Sequence, residues 1–349
     1  MSGVNIMNLR KTLLVLSAIL ITAGSGPAAT AAPKGTRLAF TAGTPPAPQS
    51  VKRILSAGNP SDVLLLSIAP EKLEGFAGFN LDSPRGVFFP DSMKHLPVLG
   101  KISGKSSTLG PEKIVALSPD LIVDIGNFTP NYMDQARKTQ VQTRVPYVLF
   151  NGELDDTPAM LREAGRMLDV EKTTEPQARW AEKALEEGRS RRGAENRTVY
   201  LARGTDGLQT AEPGSIHTET LEWVGLKNVV AGSHKGLTRI SPEQLLLWDP
   251  DMIFTEYPEF YKAAYADKKW SRLKAVKNRQ VYLVPAIPFN WIDSPPSLNR
   301  LLGIKWLAGL LDGKPKDALV EDVMTFYKLF YHVELDRDQT LELLEPTAR

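Results

Sequence analysis

Residues 109–124 read Leu109-Gly-Pro-Glu-Lys-Ile-Val-Ala-Leu-Ser-Pro-Asp-Leu-Ile-Val-Asp124, and residues 240–255 read Ile240-Ser-Pro-Glu-Gln-Leu-Leu-Leu-Trp-Asp-Pro-Asp-Met-Ile-Phe-Thr255. The two stretches align without a gap, with a Pro-Glu pair near the start and a Pro-Asp pair near the end of each. Proline and glutamate suit the first turn of a helix, and the second proline ends that helix. The apolar run that follows has the length and composition of a buried parallel strand. Two copies of one helix–turn–strand unit predict two similar lobes.

The predicted fold class is α/β, with two similar lobes that contain mainly parallel sheets and a ligand cleft between them. Such sheets bind ligands beyond the carboxyl ends of their strands. In the first lobe, strands are also predicted at residues 63–68, 87–89 and 147–150, and a helix at 157–168 closes the lobe. The second lobe begins with a strand at 197–202.

Residues 174–193 are predicted to be one helix that joins the lobes. This segment consists almost entirely of helix formers, and its few apolar residues bury little on any one face. At about 1.5 Å per residue it would span nearly 30 Å, enough to connect two domains. An ordinary surface helix is the alternative. The predicted boundaries are a signal peptide at 1–31, an extended leader at 32–50, an N-terminal lobe at 51–173, this helix, and a C-terminal lobe at 194–349.

The N-terminus has the pattern of a cleavable export signal. Arg10 and Lys11 precede an apolar stretch, and small residues follow up to Ala31, where we expect cleavage. The chain contains no cysteine, so it has neither disulfides nor a thiol for lipid attachment. Removal of residues 1–31 would leave 40 basic and 40 acidic residues, a balance without general attraction to nucleic acid or anionic membranes. We expect a periplasmic, monomeric protein.

The sequence offers little support for catalysis. Its four histidines lack the spacing of a zinc site, and no nucleophile elbow is present. No glycine-rich nucleotide-binding fingerprint follows the first strand. An exported enzyme that uses His217 and Glu219 as acid and base is kept as the less favoured alternative.

Several segments at predicted strand ends carry side chains suited to binding a ligand. They supply aromatic rings, amides, a guanidinium and one imidazole, which is an inventory for binding more than for catalysis. The candidate ligand-binding residues are Asn127, Tyr132, Arg203, His217, Tyr257, Phe289, Trp291 and Asp293.

Several of the aromatic and charged residues in these segments also have a purely structural interpretation. Arg203 could pair with an anionic ligand or form a salt bridge at the rim. His217 could bind a metal or its chelate, or simply cap a helix. Trp291 could stack on a planar ligand or fill a gap between loop and lobe. Tyr257 and Tyr261 could offer phenolic oxygens to a hard ferric ion, although one of them is expected only to pack.

Glu112 and Glu243 occupy the same position in the two repeats. They are therefore predicted to lie on matching surfaces of the two lobes. Each can also interact with its helix dipole, which contributes a few tenths of a kcal/mol per site. A position on matching surfaces and an interaction with the helix dipole are compatible.

With these features in place, the chain resembles the periplasmic substrate-binding proteins of ABC importers for metal chelates, the helical-backbone family that binds ferric siderophores, haem and cobalamin. The resemblance covers about residues 51–311. It rests on the repeat at 112–123, the segment 225–230 and the segment 291–306.

The resemblance implies a receptor, with no cofactor of its own, that delivers a metal chelate, most readily a ferric one, to an ABC permease in the inner membrane. It also implies that Glu112 and Glu243 dock onto permease arginines, and that the lobes close little on binding. Arg203, Arg85 and Arg239 are the only arginine candidates for binding a strongly anionic catecholate. Receptors for molybdate, tungstate or a nickel chelate remain open alternatives.

Overall fold

The computed structural model describes residues 37–81, 88–104, 107–191, 196–232 and 236–345. The predicted signal peptide and the leader up to residue 36 lie outside these ranges. Within them the chain forms two α/β lobes, as the repeat predicts. None of the described helices combines the length and the apolar character that a membrane span requires.

The first lobe is built on a four-stranded sheet in the order β1-β4-β3-β2. Strands β2, β3 and β4 are parallel, and β1 pairs antiparallel with β4 at the edge. The strands are β1 (Ala39–Ala42), β2 (Ile54–Ser56), β3 (Leu121–Gly126) and β4 (Tyr147–Asn151). The helices are α1 (Asn59–Ile68), α2 (Asp91–Lys94), α3 (Pro111–Leu117), α4 (Pro130–Thr143) and α5 (Thr157–Leu168).

The second lobe follows a long connecting helix, α6 (Glu171–Ser190). Its main sheet is parallel, in the order β10-β9-β5-β7, and a two-stranded antiparallel ribbon, β6 with β8, lies beside it. The strands are β5 (Thr198–Ala202), β6 (Gln209–Ala211), β7 (Lys227–Asn228), β8 (Leu237–Arg239), β9 (Met252–Thr255) and β10 (Val281–Leu283). The helices are α7 (Glu219–Trp223), α8 (Pro242–Trp248), α9 (Pro258–Ala266), α10 (Lys274–Lys277), α11 (Asn299–Leu311), α12 (Val320–Phe326) and α13 (Arg337–Leu344).

The two sequence repeats form the same structure in both lobes, which confirms the prediction. Helices α3 and α8 are followed by Ser118 and Asp249, whose backbones adopt the left-handed conformation, with φ of 47° and 44°. The aspartate of each Pro-Asp pair then accepts hydrogen bonds from the backbone before or at the start of the neighbouring strand. Asp120 accepts from the N–H of Arg53 at 2.9 Å, and Asp251 accepts from the N–H of Thr198 at 2.8 Å. The repeat therefore fixes strand pairing as well as local conformation.

The start of the first lobe differs from the prediction. Residues 63–68, predicted to be a strand, lie in helix α1, whose residues 61–68 are all buried. A helix that is buried on every side has no polar face, so its sequence resembles a buried strand. Strand β1 lies within residues assigned to the leader, so the lobe begins before residue 51. Phe88 and Phe89 are not part of a strand, and Val87 lies outside the described residues.

Helix α6 buries a clear stripe instead of the little surface predicted. Trp180, Ala181, Ala184 and Leu185 are at most 8% exposed. They belong to one continuous apolar core that includes residues of both lobes.

The end of the chain returns from the second lobe to the first. Helix α12 continues into a π-helical turn at Tyr327–Tyr331, which packs against α1. Nε2 of His332 lies 3.0 Å from the carbonyl oxygen of Ser67. The two lobes are thus joined by α6, by this C-terminal segment and by the shared core.

Candidate ligand-binding cleft

A cavity of about 360 Å³ lies between the lobes, and three of the polar candidate residues line it. Its size is within the range of small-molecule sites. The first lobe contributes Asn59 and Phe79. The second lobe contributes Arg203, His217, Glu256 and Tyr257, and a loop between β10 and α11 adds Ala286, Asn290, Ser294, Pro295 and Pro296.

Arg203, His217 and Asp293 form one polar cluster at the cleft. Asp293 is only 1% exposed, and its carboxylate bridges the guanidinium of Arg203 and the imidazole of His217. The distance from Nδ1 of His217 to Oδ1 of Asp293 is 2.6 Å. Arg203 follows the end of β5, where the parallel sheet directs side chains toward ligands. The cluster therefore lies where the fold is expected to bind.

His217 is neutral in this environment. Burial, followed by the positive charges of Arg203 and Arg300, lowers the pKa of His217 to about 3. A carboxylate only accepts hydrogen bonds, so the imidazole proton belongs on Nδ1 and the lone pair on Nε2. An imidazole oriented by a carboxylate in this way is the usual arrangement of a metal-binding histidine.

The charged groups of the cleft do not balance. Glu256 accepts a hydrogen bond from the hydroxyl of Ser294 at 2.7 Å, and it lies 3.9 Å from Nη1 of Arg203. One guanidinium thus faces two carboxylates, those of Asp293 and Glu256, beside a neutral imidazole. The excess is negative, which disfavours a cargo with several negative charges.

Two amides leave hydrogen-bonding capacity in the cleft. Asn290 is 3% exposed, and its Oδ1 accepts from the N–H groups of Ile292 and Asp293, both at 3.0 Å. Its Nδ2 has no partner among the described residues, and neither does Oδ1 of Asn59. Buried polar groups are rarely left unpaired, so these atoms are candidates for contact with a ligand.

The aromatic wall of the cleft is supported from below. Phe79 packs on Phe289 with ring centroids 4.7 Å apart. The backbone before Phe79 is held by Asp62, which accepts from the N–H of Ala77 at 2.8 Å and of Gly78 at 3.1 Å. Burial raises the pKa of Asp62 to about 6. The position of this wall therefore depends on a buried carboxyl group.

The structure separates the predicted ligand-binding residues into groups. Arg203, His217 and Tyr257 line the cavity, whereas Asp293 lies behind the first two and Phe289 lies beneath Phe79. Burial is the main cause that raises the pKa of the Tyr257 phenol above its usual value.

The position of Trp291 contradicts the prediction that its ring could stack on a planar ligand. Its side chain has no exposed surface, so it cannot stack on a ligand that enters from solvent. The alternative interpretation, a hydrophobic plug, fits this burial.

Asn127 and Tyr132 are not among the residues that line the cavity. Tyr132 is 39% exposed on α4. Of the additional arginine candidates, Arg239 pairs with Asp206 instead, and Arg85 lies outside the described residues.

Sequence reasoning missed Asn59 and Phe79. The signal for Asn59 was Gly58-Asn59-Pro60, a helix start directly after a short strand. It was not recognised because residues 63–68 were predicted to be a strand. For Phe79 no sequence signal was available, since its position depends on the distant carboxylate of Asp62.

A larger cavity of about 730 Å³ lies on the other side of β10, between that strand, α11 and the C-terminal segment. Tyr261 lines this cavity and not the cleft. Its wall is mainly aliphatic, and charged residues at its rim form ion pairs, as Lys316 does with Glu345 at 2.7 Å. We place the ligand in the smaller cavity because buried polar groups converge there.

The two residues of the enzyme alternative are held by separate partners. Glu219, its proposed base, is paired with Arg300 at 2.7 Å, and the imidazole of His217 is paired with Asp293. Among the described residues there is also no group of three or more acidic, histidine or cysteine side chains that could hold a metal ion by themselves.

Two α/β lobes joined by a long helix, with a polar cleft between them, define a ligand-binding protein of the two-lobed type. The chain belongs to the periplasmic binding protein family, whose model matches residues 62–288. It is similar to a solved ABC transporter solute-binding protein from Sulfurospirillum deleyianum, with a TM-score of 0.76 and 33% identity over 85% of this chain and 94% of that chain.

Two further relatives have names that mention transport or a ligand. The chain is 26% identical over 256 residues to the putative ABC transporter substrate-binding lipoprotein YhfQ of Bacillus subtilis, covering 65% of this chain and 79% of that protein. It is 29% identical over 138 residues to the molybdate-binding protein MolA of Haemophilus influenzae, which spans only 38% of either protein. A solved structure of MolA with molybdate matches with a TM-score of 0.67 at 20% identity, over 84% of this chain and 96% of that chain, which supports the fold alone.

The chain is therefore a substrate-binding protein of the ABC transporter type, as its sequence resemblance predicts. Proteins of this class deliver small ligands to a membrane permease.

Proposed function

We propose that this protein is the receptor of an ABC importer for a compact metal chelate, such as a small ferric siderophore, and that His217 binds the metal directly. The observation that carries the proposal is the imidazole of His217, held by Asp293 at 2.6 Å and neutral because its pKa is about 3. A neutral imidazole that faces a cleft can fill a coordination position left open by a chelator. The metal belongs to the cargo, and the protein needs no cofactor of its own.

Tyr257 is the second candidate ligand for the metal. It lines the same cavity, and a phenolic oxygen suits a hard ferric ion. Because burial raises the pKa of the phenol, the metal has to displace its proton at neutral pH. Binding is therefore expected to release a proton when Tyr257 coordinates.

The size and charge of the cleft favour a compact chelate that is neutral or positive. A cavity of about 360 Å³ leaves little room for a large ligand. The carboxylates of Asp293 and Glu256 outnumber the guanidinium of Arg203. A catecholate complex with several negative charges would meet net repulsion here.

Molybdate or tungstate is the second candidate cargo, and the similarity to MolA favours it. A divalent oxyanion would have to bind through Arg203 and the Nδ2 of Asn290 while lying near two carboxylates. The charge of the cleft argues against this candidate, and the name of MolA argues for it. Direct titration separates the two.

Glu112 and Glu243 are proposed to dock the receptor onto the permease. Both are exposed, at the first turns of the equivalent helices α3 and α8. Each helix also exposes an apolar side chain, with Val115 50% and Leu247 77% exposed. An acidic residue beside an exposed apolar side chain suits a partner surface that offers arginine.

Export by a signal at residues 1–31, with cleavage after Ala31, is part of the proposal. The order of basic, apolar and small residues supports it. N-terminal sequencing of protein recovered from the periplasm as a monomer would test this part.

Calorimetric titration of the purified protein tests the cargo. The ligands are ferric hydroxamate, catecholate and citrate complexes, nickel–histidine, haem, cobalamin, molybdate and tungstate. We expect one compact chelate to bind with a Kd at or below about 1 µM, near −8 kcal/mol. A response to molybdate or tungstate alone would replace the metal chelate with an oxyanion, and no response to any ligand would contradict the receptor proposal.

A further inference from the structure

The back of the cleft contains a buried arginine that contacts both lobes. Arg300 lies in the first turn of α11 and is 2% exposed. Its Nη1 donates to Oε2 of Glu219 at 2.7 Å, and its Nη2 donates to the carbonyl oxygen of Gly152. Glu219 belongs to α7 of the second lobe, whereas Gly152 directly follows β4 of the first lobe. The guanidinium therefore connects the two lobes.

Glu219 makes a second connection between the lobes. While its Oε2 accepts from Arg300, its Oε1 accepts from the N–H of Leu154 at 3.1 Å. Arg300 and Glu219 thus form one ion pair that makes two hydrogen bonds with the loop after β4, in which Arg300 donates and Glu219 accepts. Burial of an arginine has a large desolvation cost, which is offset only when its donors are well paired.

The same ion pair holds the backbone on both sides of His217. Nη1 of Arg300 also lies 3.5 Å from the carbonyl oxygen of Ile216, one residue before His217. Glu219 follows two residues after His217. In addition, Thr220 donates to the carbonyl oxygen of Ile292 at 2.9 Å, next to Asp293, which orients the imidazole.

We propose that Arg300 and Glu219 form a latch that sets the spacing of the lobes before cargo arrives and holds His217 at its position in the cleft. They are positioning residues and do not contact the cargo. The part of the proposal that concerns His217 rests on the proposed function, but the part that concerns lobe spacing does not. A preformed cleft loses less conformational freedom on binding, which favours tight binding.

Spin labels on the two lobes test the latch without any cargo. Because the chain has no cysteine, Lys138→Cys on α4 and Lys268→Cys after α9 would introduce two unique and exposed sites. We expect a single narrow distance distribution in the parent protein. Arg300→Lys keeps the charge but cannot supply the guanidinium fork, so the distribution should broaden or shift. Glu219→Gln keeps the side-chain shape and should do the same, in case the Arg300 variant does not fold.

A matched control lies on the same helix. Lys305 is also largely buried in α11 and pairs with Glu187 and, at 3.1 Å, with Asp322, away from the cleft. Lys305→Met should lower the melting temperature and leave the interlobe distance unchanged. If Arg300→Lys and Glu219→Gln both keep the parent distribution, the latch is refuted.

Affinity provides the second readout, with nickel–histidine and a neutral ferric hydroxamate as probes. The latch variants should bind the probe about 10- to 100-fold more weakly, the usual loss when support for a metal-binding histidine is removed. Lys305→Met should bind like the parent protein. A broadened distance distribution with unchanged affinity would overturn the positioning of His217 while leaving the spacing role intact. Failure of the parent protein to bind either probe would count against that cargo and not against the latch, which the distance measurement decides.

Discussion

The imidazole of His217 has one nitrogen engaged by Asp293, and its other nitrogen is the one proposed to meet the metal. His217→Asn separates these two roles, since the Asn amide can still donate to Asp293 but has no atom in place of Nε2. We expect the affinity for the metal chelate to fall at least about tenfold, near 1.4 kcal/mol, and the absorption band of the bound metal to shift. Calorimetry and absorption spectra of the loaded protein measure both effects.

His95 offers a control for this substitution because it is exposed and does not line the cleft. His95→Asn should bind like the parent protein. If His217→Asn kept the parent affinity and the parent spectrum, direct coordination would be wrong.

The buried carboxyl group of Asp62 is expected to make the free energy of unfolding depend on pH. Its pKa in the folded protein is about 6, raised mainly by burial, against about 3.9 for an unfolded chain. Between these values the folded state keeps a proton that the unfolded state has lost, so this group's contribution to stability falls as pH rises from about 4 to about 6. The total change is roughly 3 kcal/mol at most, from about two pKa units.

Asp62→Asn removes that titration. Urea unfolding at pH 4.5, 5.5 and 7 should show that the variant gains free energy of unfolding relative to the parent as pH rises. Asp134→Asn, at an exposed aspartate that pairs with Arg137, is the control. A constant difference between Asp62→Asn and the parent across this range would show that Asp62 does not titrate there.

At this scale the sequence predicted the polar cluster but not the walls of the cleft. Arg203, His217 and Tyr257 could be found because each lies next to a strand end or a helix start in the chain. Asn59 and Phe79 enter the cleft through α1 and the buried Asp62, contacts that no local pattern records. Trp291 was assigned to the cleft together with its loop, and the loop does line the cleft, but the side chain of Trp291 itself is fully buried.

Helix α11 illustrates how an element supports the cleft. At Gly303 an added Cβ would lie 2.0 Å from the carbonyl oxygen of Trp291, which belongs to the loop that carries Asn290 and Asp293. A backbone atom cannot move aside as a side chain can. Gly303→Ala should therefore destabilise the protein by about 1–3 kcal/mol despite the better helix propensity of alanine, and it should also weaken binding.

Gly309, six residues later in α11, provides the comparison. An added Cβ there meets only the side chain of Leu319, at 3.1 Å, which can adjust. Thermal unfolding and titration of both variants distinguish the effects. Equal stability of the two alanine variants would contradict the proposed contact with the loop.

The elements with periodic or repeated sequence were predicted best. Helix α5 begins and ends at the predicted residues, and the repeats formed α3 with β3 and α8 with β9. Helix α1 was missed because it is buried on all sides. Strand β1 was missed because its partner, β4, lies more than a hundred residues away and its own proline-rich surroundings resemble a linker.

The shared core predicts that the two lobes unfold together. Trp180 on α6 packs on Phe326 and Phe330 of the C-terminal segment, with centroids 5.2 and 5.8 Å apart, and residues of both lobes join the same core. Differential scanning calorimetry should show one transition. Trp180→Ala removes this contact at a cost of about 3–5 kcal/mol and should split or broaden the transition. Two separate transitions in the parent protein would contradict a common core.

The proposed docking to the permease involves the whole molecule, since Glu112 and Glu243 lie on different lobes. Replacement of Glu112 and Glu243 together by glutamine should abolish uptake of the cargo and leave its affinity unchanged. Glu259→Gln is a matched control, because Glu259 also follows a proline in the first turn of an exposed helix, α9. Normal uptake by the double variant would show that other residues dock the receptor.

Helix α6 has a mechanical consequence for unloading. Helix α6 is 20 residues long and packs along one side into the common core, so it resists bending. If the permease docks at α3 and α8 as proposed, moving the lobes apart requires work against α6 and against the apolar core that the two lobes share. The same shared core favours the return of the empty receptor to its original shape.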